Sequence, residues 1–179
     1  RGTLRSIYGS ADDSTLSRVD AAAGRRGFAV SGGGTYQSVG DRRIGGGETL
    51  PYTSYSARAA DVKLRGDVSA GHELMAAAQY SEQPKTPRYD ELTPGFGQTQ
   101  PNSAVFFFEP QRREFAQLRW RGSHATTLWD NAEAHIGRQV LVDDRRTRDF
   151  GSSNQERERN SDTTWGITFQ AGKSLDGGH

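Results

Sequence analysis

Residues 56–80, SARAADVKLRGDVSAGHELMAAAQY, read as two amphipathic strands joined by a short turn. From Ala60 the even positions run Ala60, Val62, Leu64, Gly66, Val68, and the odd positions between them run Asp61, Lys63, Arg65, Asp67. Side chains in a strand alternate between its two faces, so one face is small and apolar and the other is charged at almost every place. The fold turns on what medium the apolar face meets.

Composition narrows the answer. Of 179 residues only 32% are hydrophobic and 22 are glycine, and the mean hydropathy is -0.81. That is a poor recipe for a conventional core, yet the apolar residues fall in regular alternation, unlike a disordered chain. The 23 basic and 22 acidic residues leave a net charge of +1, so no bulk field favours nucleic acid, and basic patches interleaved with aromatics are missing. With no cysteine, disulfides, thiolate metal sites and cysteine nucleophiles are excluded. No run of 18 apolar residues exists to form a membrane helix, but barrel strands escape such a window. The start, RGTLRS, has neither an initiator Met nor an apolar signal segment, which suggests a piece of a longer protein.

Period two continues along the chain. It predicts strands at about 3–10, 14–23 and 27–38, the pair within 56–80, and strands at about 112–122, 128–142 and 161–172. In the last three, Ala116, Leu118 and Trp120 oppose Gln117, Arg119 and Arg121; Ala132, Ala134 and Ile136 oppose Glu133 and His135; and Trp165, Ile167, Phe169 and Ala171 oppose Thr168 and Gln170. Short turns at 24–27, 69–73 and 123–127 alternate with long polar segments at about 39–52, 81–111 and 143–160. Outer-membrane barrels sort their connections this way, short at the periplasmic rim and long outside. Most of these strands approach the roughly 9–11 residues that a tilted membrane strand needs, against about 5–6 in soluble sheets. Tyr8, Phe28, Tyr36, Tyr55, Tyr80, Trp129 and Trp165 sit near strand ends, as interfacial girdles require, although aromatics also favour strands in general. The expected fold is all-β: an antiparallel up-and-down transmembrane β-barrel segment of about eight strands. Its many lumen-side charges would crowd an eight-stranded bore, which favours an open slice of a larger barrel.

The stretches TLRSIYGSADDSTLSRVDAAAGRRGFAVSGGGTYQSVGDRRIGGG (3–47) and AGHELMAAAQYSEQPKTPRYDEL (70–92) resemble the first barrel hairpins and a following long loop of TonB-dependent outer-membrane receptors for iron chelates and haem. The resemblance spans the chain as a texture of weak motifs. It implies location in the outer membrane, in contact with its lipid, and import of a ferric siderophore, haem or similar chelate. It also implies the first eight or so strands of a 22-stranded barrel, whose plug domain and closing strands are not in this sequence, and energy supplied by the TonB complex through the parent protein. No cofactor and no nucleic acid is implied. Two other readings stay open: a small eight-stranded outer-membrane adhesin or anchor, and a soluble β-sandwich binding module. The sandwich predicts Val62, Leu64, Trp120 and Ile167 buried against a second sheet.

An enzyme is not expected. His72, His124, His135 and His179 lack metal-site spacing, no serine lies in a nucleophile-elbow context, and the triplets Gly32–Gly34 and Gly45–Gly47 precede no helix that would complete a phosphate site. The first triplet thins a strand wall and the second loosens a loop. Ligand-binding candidates fall in the long segments: Arg88, Tyr89, Asp90 and the run Phe106, Phe107, Phe108 in one, and Arg145, Arg146 and Arg148 in another. Under the resemblance, Arg and Tyr would hold an anionic chelate by charge-assisted hydrogen bonds and stacking. The alternative is structural: the phenylalanines anchor the loop while Arg88 and Asp90 pair locally.

Overall fold

A single ten-stranded antiparallel sheet carries almost the whole chain, in a computed structural model that describes residues 1–123 and 126–174. Its long strands are β1 (Gly2–Gly9), β2 (Ser14–Arg25), β3 (Phe28–Val39), β6 (Tyr55–Ser69), β7 (His72–Gln83), β9 (Ser103–Gly122), β10 (Asn131–Asp149) and β12 (Ser161–Gly172). Each pairs with the next in that order. The short strands β8 (Thr86–Pro87) and β11 (Glu156–Glu158) flank β9 and β10, and β4 (Arg42–Arg43) with β5 (Thr49–Leu50) forms a separate ribbon. One helical turn, α1 (Tyr89–Leu92), completes the inventory. Among the described residues β1 pairs only with β2, and β12 only with β10.

The all-β up-and-down order expected from the alternation is what the chain adopts. The turns at 26–27 and 70–71 close on Gly27 and Gly71, both at φ +75, a left-handed position that glycine takes without steric cost. Three expectations need correction. The strand expected at 112–122 starts at Ser103, the one expected at 128–142 runs from Asn131 to Asp149, and the segment 39–52 contains the β4–β5 ribbon. Trp129 therefore precedes its strand, and the turn after β9 is longer than expected. His124, Ala125 and His179 lie outside the described residues.

Pro110 explains the first error. A proline donates no ladder hydrogen bond and argues against strand interior, but bulges tolerate it. The register slips at this point: Gln111 faces Asp143 while Phe108 faces Arg145, so Glu109 and Pro110 together oppose Asp144 alone. Beyond the bulge the ladder resumes.

Register aligns the apolar positions. Val30 faces Leu64, Leu64 faces Ala76, Ala76 faces Leu118, Leu118 faces Ile136 and Ile136 faces Ile167, one row crossing six strands. The adjoining row runs Phe28, Gly66, Leu74, Trp120, Ala134, Phe169. Nothing covers these rows among the described residues. Ile167 is 77% exposed, Leu118 46% and Val62 44%, and among the described residues the only buried hydrophobic ones are Met75, Leu92, Phe106 and Ala132. Apart from the two-stranded β4–β5 ribbon, the described residues form no second sheet, and Leu64, Leu118, Ile167 and Phe169 stay exposed where a sandwich would cover them.

The aromatic border on this face is slanted. Tyr8 pairs across to Thr15 and Ser38; Tyr36 lies one row, two residues, nearer the short-turn rim. Tyr80 lies one row nearer than Tyr36, whose row reaches Glu82, and Trp165 one row nearer than Tyr80, whose row reaches Thr163. The descent is six residues over seven strand-to-strand steps. At about 3.4 Å per residue and about 4.8 Å per strand this is a slope of about 30°, near the tilt of roughly 35–45° in membrane barrels. On β6 the apolar face runs uninterrupted from Ala60 to Val68, about 25 Å high at that slope, the height of a barrel's lipid-facing band.

The opposite face is laced with polar contacts. Arg18 reaches Asp20 at 2.6 Å, Asp61 at 2.7 Å and Thr35 Oγ1 at 3.0 Å. Arg121 pairs with Glu133 at 3.0 Å, Arg65 with Glu73, and Arg113 donates to Gln139 at 2.9 Å and Gln79 at 3.3 Å. Gly33 makes room for the Arg18 cluster: a Cβ there would stand 2.5 Å from Asp20 Oδ1, 2.7 Å from Arg18 Nη2 and 2.8 Å from the Val19 carbonyl oxygen. At Gly34 a Cβ would meet only the Ala59 carbonyl oxygen, at 3.9 Å. Gly33→Val is therefore expected to lower stability by about 1–3 kcal/mol through overpacking, and Gly34→Val by much less. Denaturant unfolding of the two variants in detergent micelles checks the difference.

Candidate functional site

The ladder beyond the bulge builds a small ridge above the long-loop rim, in the order β8–β9–β10–β11. Thr86 pairs with Phe108 and Pro87 with Phe107, and the Arg88 N–H donates to the Phe106 carbonyl at 3.1 Å. On the other side of β9, Arg145 faces Phe108, Arg146 faces Phe107 and Thr147 faces Phe106. All the sequence-predicted residues except Tyr89 and Asp90 thus meet through one ladder, and those two start α1 immediately after Arg88.

The phenylalanines serve the ridge first. Phe106 is 9% exposed and meets Phe108 edge-on at 5.8 Å between ring centroids. Leu92, buried at the end of α1, belongs to the turn that lies against β9. Cations lie over the rings: the Arg88 guanidinium 5.2 Å from the Phe106 centroid and Lys85 Nζ 4.1 Å from that of Phe107, each contact worth about 0.5–1 kcal/mol at an exposed site.

Most of the arginines are already engaged. Arg88 forks onto Asp90 at 3.1–3.3 Å, and this hydrogen-bonded partner holds the Asp90 carboxyl below its ordinary value. Arg146 meets Glu109 at 3.2 Å and Arg145 meets Glu158 at 2.9 Å. Arg148 donates to the Ser152 carbonyl at 3.3 Å, and neither it nor Lys85 forms an ion pair among the described residues. An anionic ligand at Arg88, Arg145 or Arg146 must displace a carboxylate, whereas Lys85 and Arg148 are open to one. Lys85, Glu109 and Glu158 had no distinguishing signal in the sequence, because their partners lie across strands whose register only the fold sets.

Below the ridge, on the charged face, lies a hollow of about 520 Å³. Residues of β3, β6, β7, β9 and β10 line it, the polar Thr35, Gln37, Gln83 and Arg113 alongside the apolar Ala59 and Leu141. That volume falls in the range of small-molecule sites. Elsewhere on that face His135 Nε2 lies 2.9 Å from Gln117 Oε1, while His72, on the apolar face, stacks on Trp120. Among the described residues no three His, Asp or Glu side chains gather as metal ligands would.

The 40–54 connection, hydrogen-bonded to the 11–12 turn through the Gly40 and Arg43 N–H groups, is closed by one carboxylate. Asp41 Oδ1 accepts from the N–H of Thr53 at 3.0 Å and of Ser54 at 2.9 Å, and the Arg42 N–H donates to Thr53 Oγ1 at 2.8 Å. Burial alone would raise the Asp41 carboxyl, but the Thr53 and Ser54 hydrogen bonds outweigh it and hold the group below its ordinary 3.8. A carboxyl depressed by folding contributes stability that is complete above 3.8 and lost as pH falls through the lower folded-state value. Amide exchange of 41–54 is expected to accelerate across that acid window, and Asp41→Asn to remove this pH dependence.

No protein-family model matches the chain, and no curated protein sequence matches it either.

Proposed function

We propose that this chain is the lipid-embedded wall of a TonB-dependent outer-membrane receptor that imports a ferric siderophore, haem or a similar metal chelate. The observation that carries the membrane part is the uncovered apolar band: regular, about 25 Å high, slanted by about 30° and backed by a charged face. Every long strand but the two at the ends pairs on both sides, so the backbone polar groups are satisfied within the sheet, as hydrocarbon demands. The receptor part rests on the resemblance of 3–47 and 70–92 to that family's first hairpins, with a ridge and a hollow where a vestibule would be. In this reading the plug, the remaining strands and the TonB complex belong to the parent protein, and β1 and β12 are edges that neighbouring strands complete.

Two measurements test the two parts separately. The chain, expressed with an export signal in a Gram-negative host, should fractionate with outer membranes; recovery as a water-soluble monomer would remove the membrane reading. Refolded in detergent, it should quench on titration with haemin or a ferric catecholate or hydroxamate chelate, and Lys85→Ala with Arg148→Ala should weaken that binding. Insertion without binding of any of these chelates, from a gene encoding no plug domain upstream, would leave a membrane anchor and end the receptor reading.

A further inference from the structure

At the short-turn rim the apolar face is not flat. Gly66 and Ala76 form the floor of a groove of about 800 Å³ walled by Phe28, Leu64, Leu74 and Leu118. The floor is low because two adjoining rows place a glycine and an alanine where large side chains stand on either side. Phe28 stands beside the glycine as one wall, its Cδ2 3.6 Å from where a Gly66 Cβ would be. The mouth of the groove carries Arg25 and Arg26, neither in an ion pair among the described residues. Their turn is pinned to β6, because the Asp67 N–H donates to the Gly27 carbonyl at 2.8 Å. Two other charged residues line the margin: Arg65, paired with Glu73, and Asp67. Two unpaired cations therefore face one carboxylate.

We propose that this groove is a binding site for one anionic phospholipid of the inner leaflet, its acyl chain lying over Gly66 and Ala76 and its phosphate on Arg25 and Arg26. An apolar trough ending in a cationic mouth matches an amphiphile with a negative head, and free phosphate gains nothing from the trough. The proposal rests on the membrane reading above, since only a bilayer presents such a ligand edge-on to the sheet.

Trp120 reports on the groove directly, because it faces Leu74 across the β7–β9 ladder. With Trp129 and Trp165 replaced by Phe, it is the only tryptophan left. The full chain would be refolded into phosphatidylcholine vesicles containing, at equal mole fraction, either brominated phosphatidylglycerol or brominated phosphatidylcholine, and Trp120 quenching compared. Brominated phosphatidylglycerol should quench with a relative association constant about five times higher if one arginine engages the headgroup and up to about thirty times higher if both do, at about fivefold per cation beside an anionic lipid. Arg25→Ala with Arg26→Ala should bring the ratio to about one, Arg25→Lys with Arg26→Lys should preserve most of it, and Gly66→Leu should abolish it by filling the floor. Equal quenching by both lipids, or a ratio unchanged by the double alanine variant, would overturn the site while leaving the sheet in the membrane. Quenching by neither lipid would overturn both.

Discussion

Leu118→Arg is expected to destabilise the bilayer-inserted sheet by about 2–4 kcal/mol, the cost of an arginine on the lipid face of a barrel near the midplane. Leu118 stands in the middle of the longest apolar row, between Ala76 and Ile136. The neighbouring Gln117 points to the charged face, between Ala77 and Gly137, and Gln117→Arg should change stability far less. Water makes the opposite forecast. A side chain already 46% exposed to solvent would accept a charge within about 0.5 kcal/mol. Reversible denaturant unfolding of the two variants in phospholipid vesicles therefore separates the environments: a large penalty at position 118 and a small one at 117 requires hydrocarbon against the apolar face.

Phe106→Ala should cost the ridge about 3 kcal/mol, the lower end for deleting a buried phenylalanine. Phe106 is among the few buried hydrophobic residues, and it meets both Phe108 and the Arg88 guanidinium. Because the ridge stands beyond the bulge, its loss should be local. Limited proteolysis at Lys85 and Arg88 should accelerate and amide protection of 103–108 should fall, while the 112–122 ladder stays protected. Phe107→Ala, whose ring carries Lys85 rather than core contacts, should leave the ridge folded and alter only what Lys85 binds.

The contrast between these two phenylalanines marks how far the sequence could be read. Alternation was legible wherever one face is apolar and the other charged, as in Ala60–Val68 or Ala116–Trp120, so those strands and their order follow from the sequence. It was illegible where both faces carry the same character. In 103–108 the run SAVFFF is apolar without a period, and in 143–149 the run DDRRTRD is polar without one. Their composition suits a loop, yet both are strand because each satisfies the other: Arg145 and Arg146 face Phe108 and Phe107 across the ladder while taking Glu158 and Glu109 as partners. The candidate residues were found by type, but their pairing was not, since the carboxylates that occupy Arg88, Arg145 and Arg146 come from a local turn, a return strand and a bulge. Gly33 shows the same limit. Its triplet signals a thin wall, whereas the reason for the middle glycine, the Arg18 cluster folding over it, is a contact between three strands.

The most direct measurement uses the absence of cysteine from the chain. Single cysteines placed in turn at 61, 62, 63, 64 and 65 of β6 would carry spin labels in the bilayer-reconstituted protein, with collision rates read for molecular oxygen and for a water-soluble nickel chelate. Hydrocarbon against the apolar face predicts high oxygen and low nickel accessibility at 62 and 64, reversed at 61, 63 and 65. Low accessibility to both reagents at 62 and 64 would place those side chains in a dry protein interior and contradict the membrane wall.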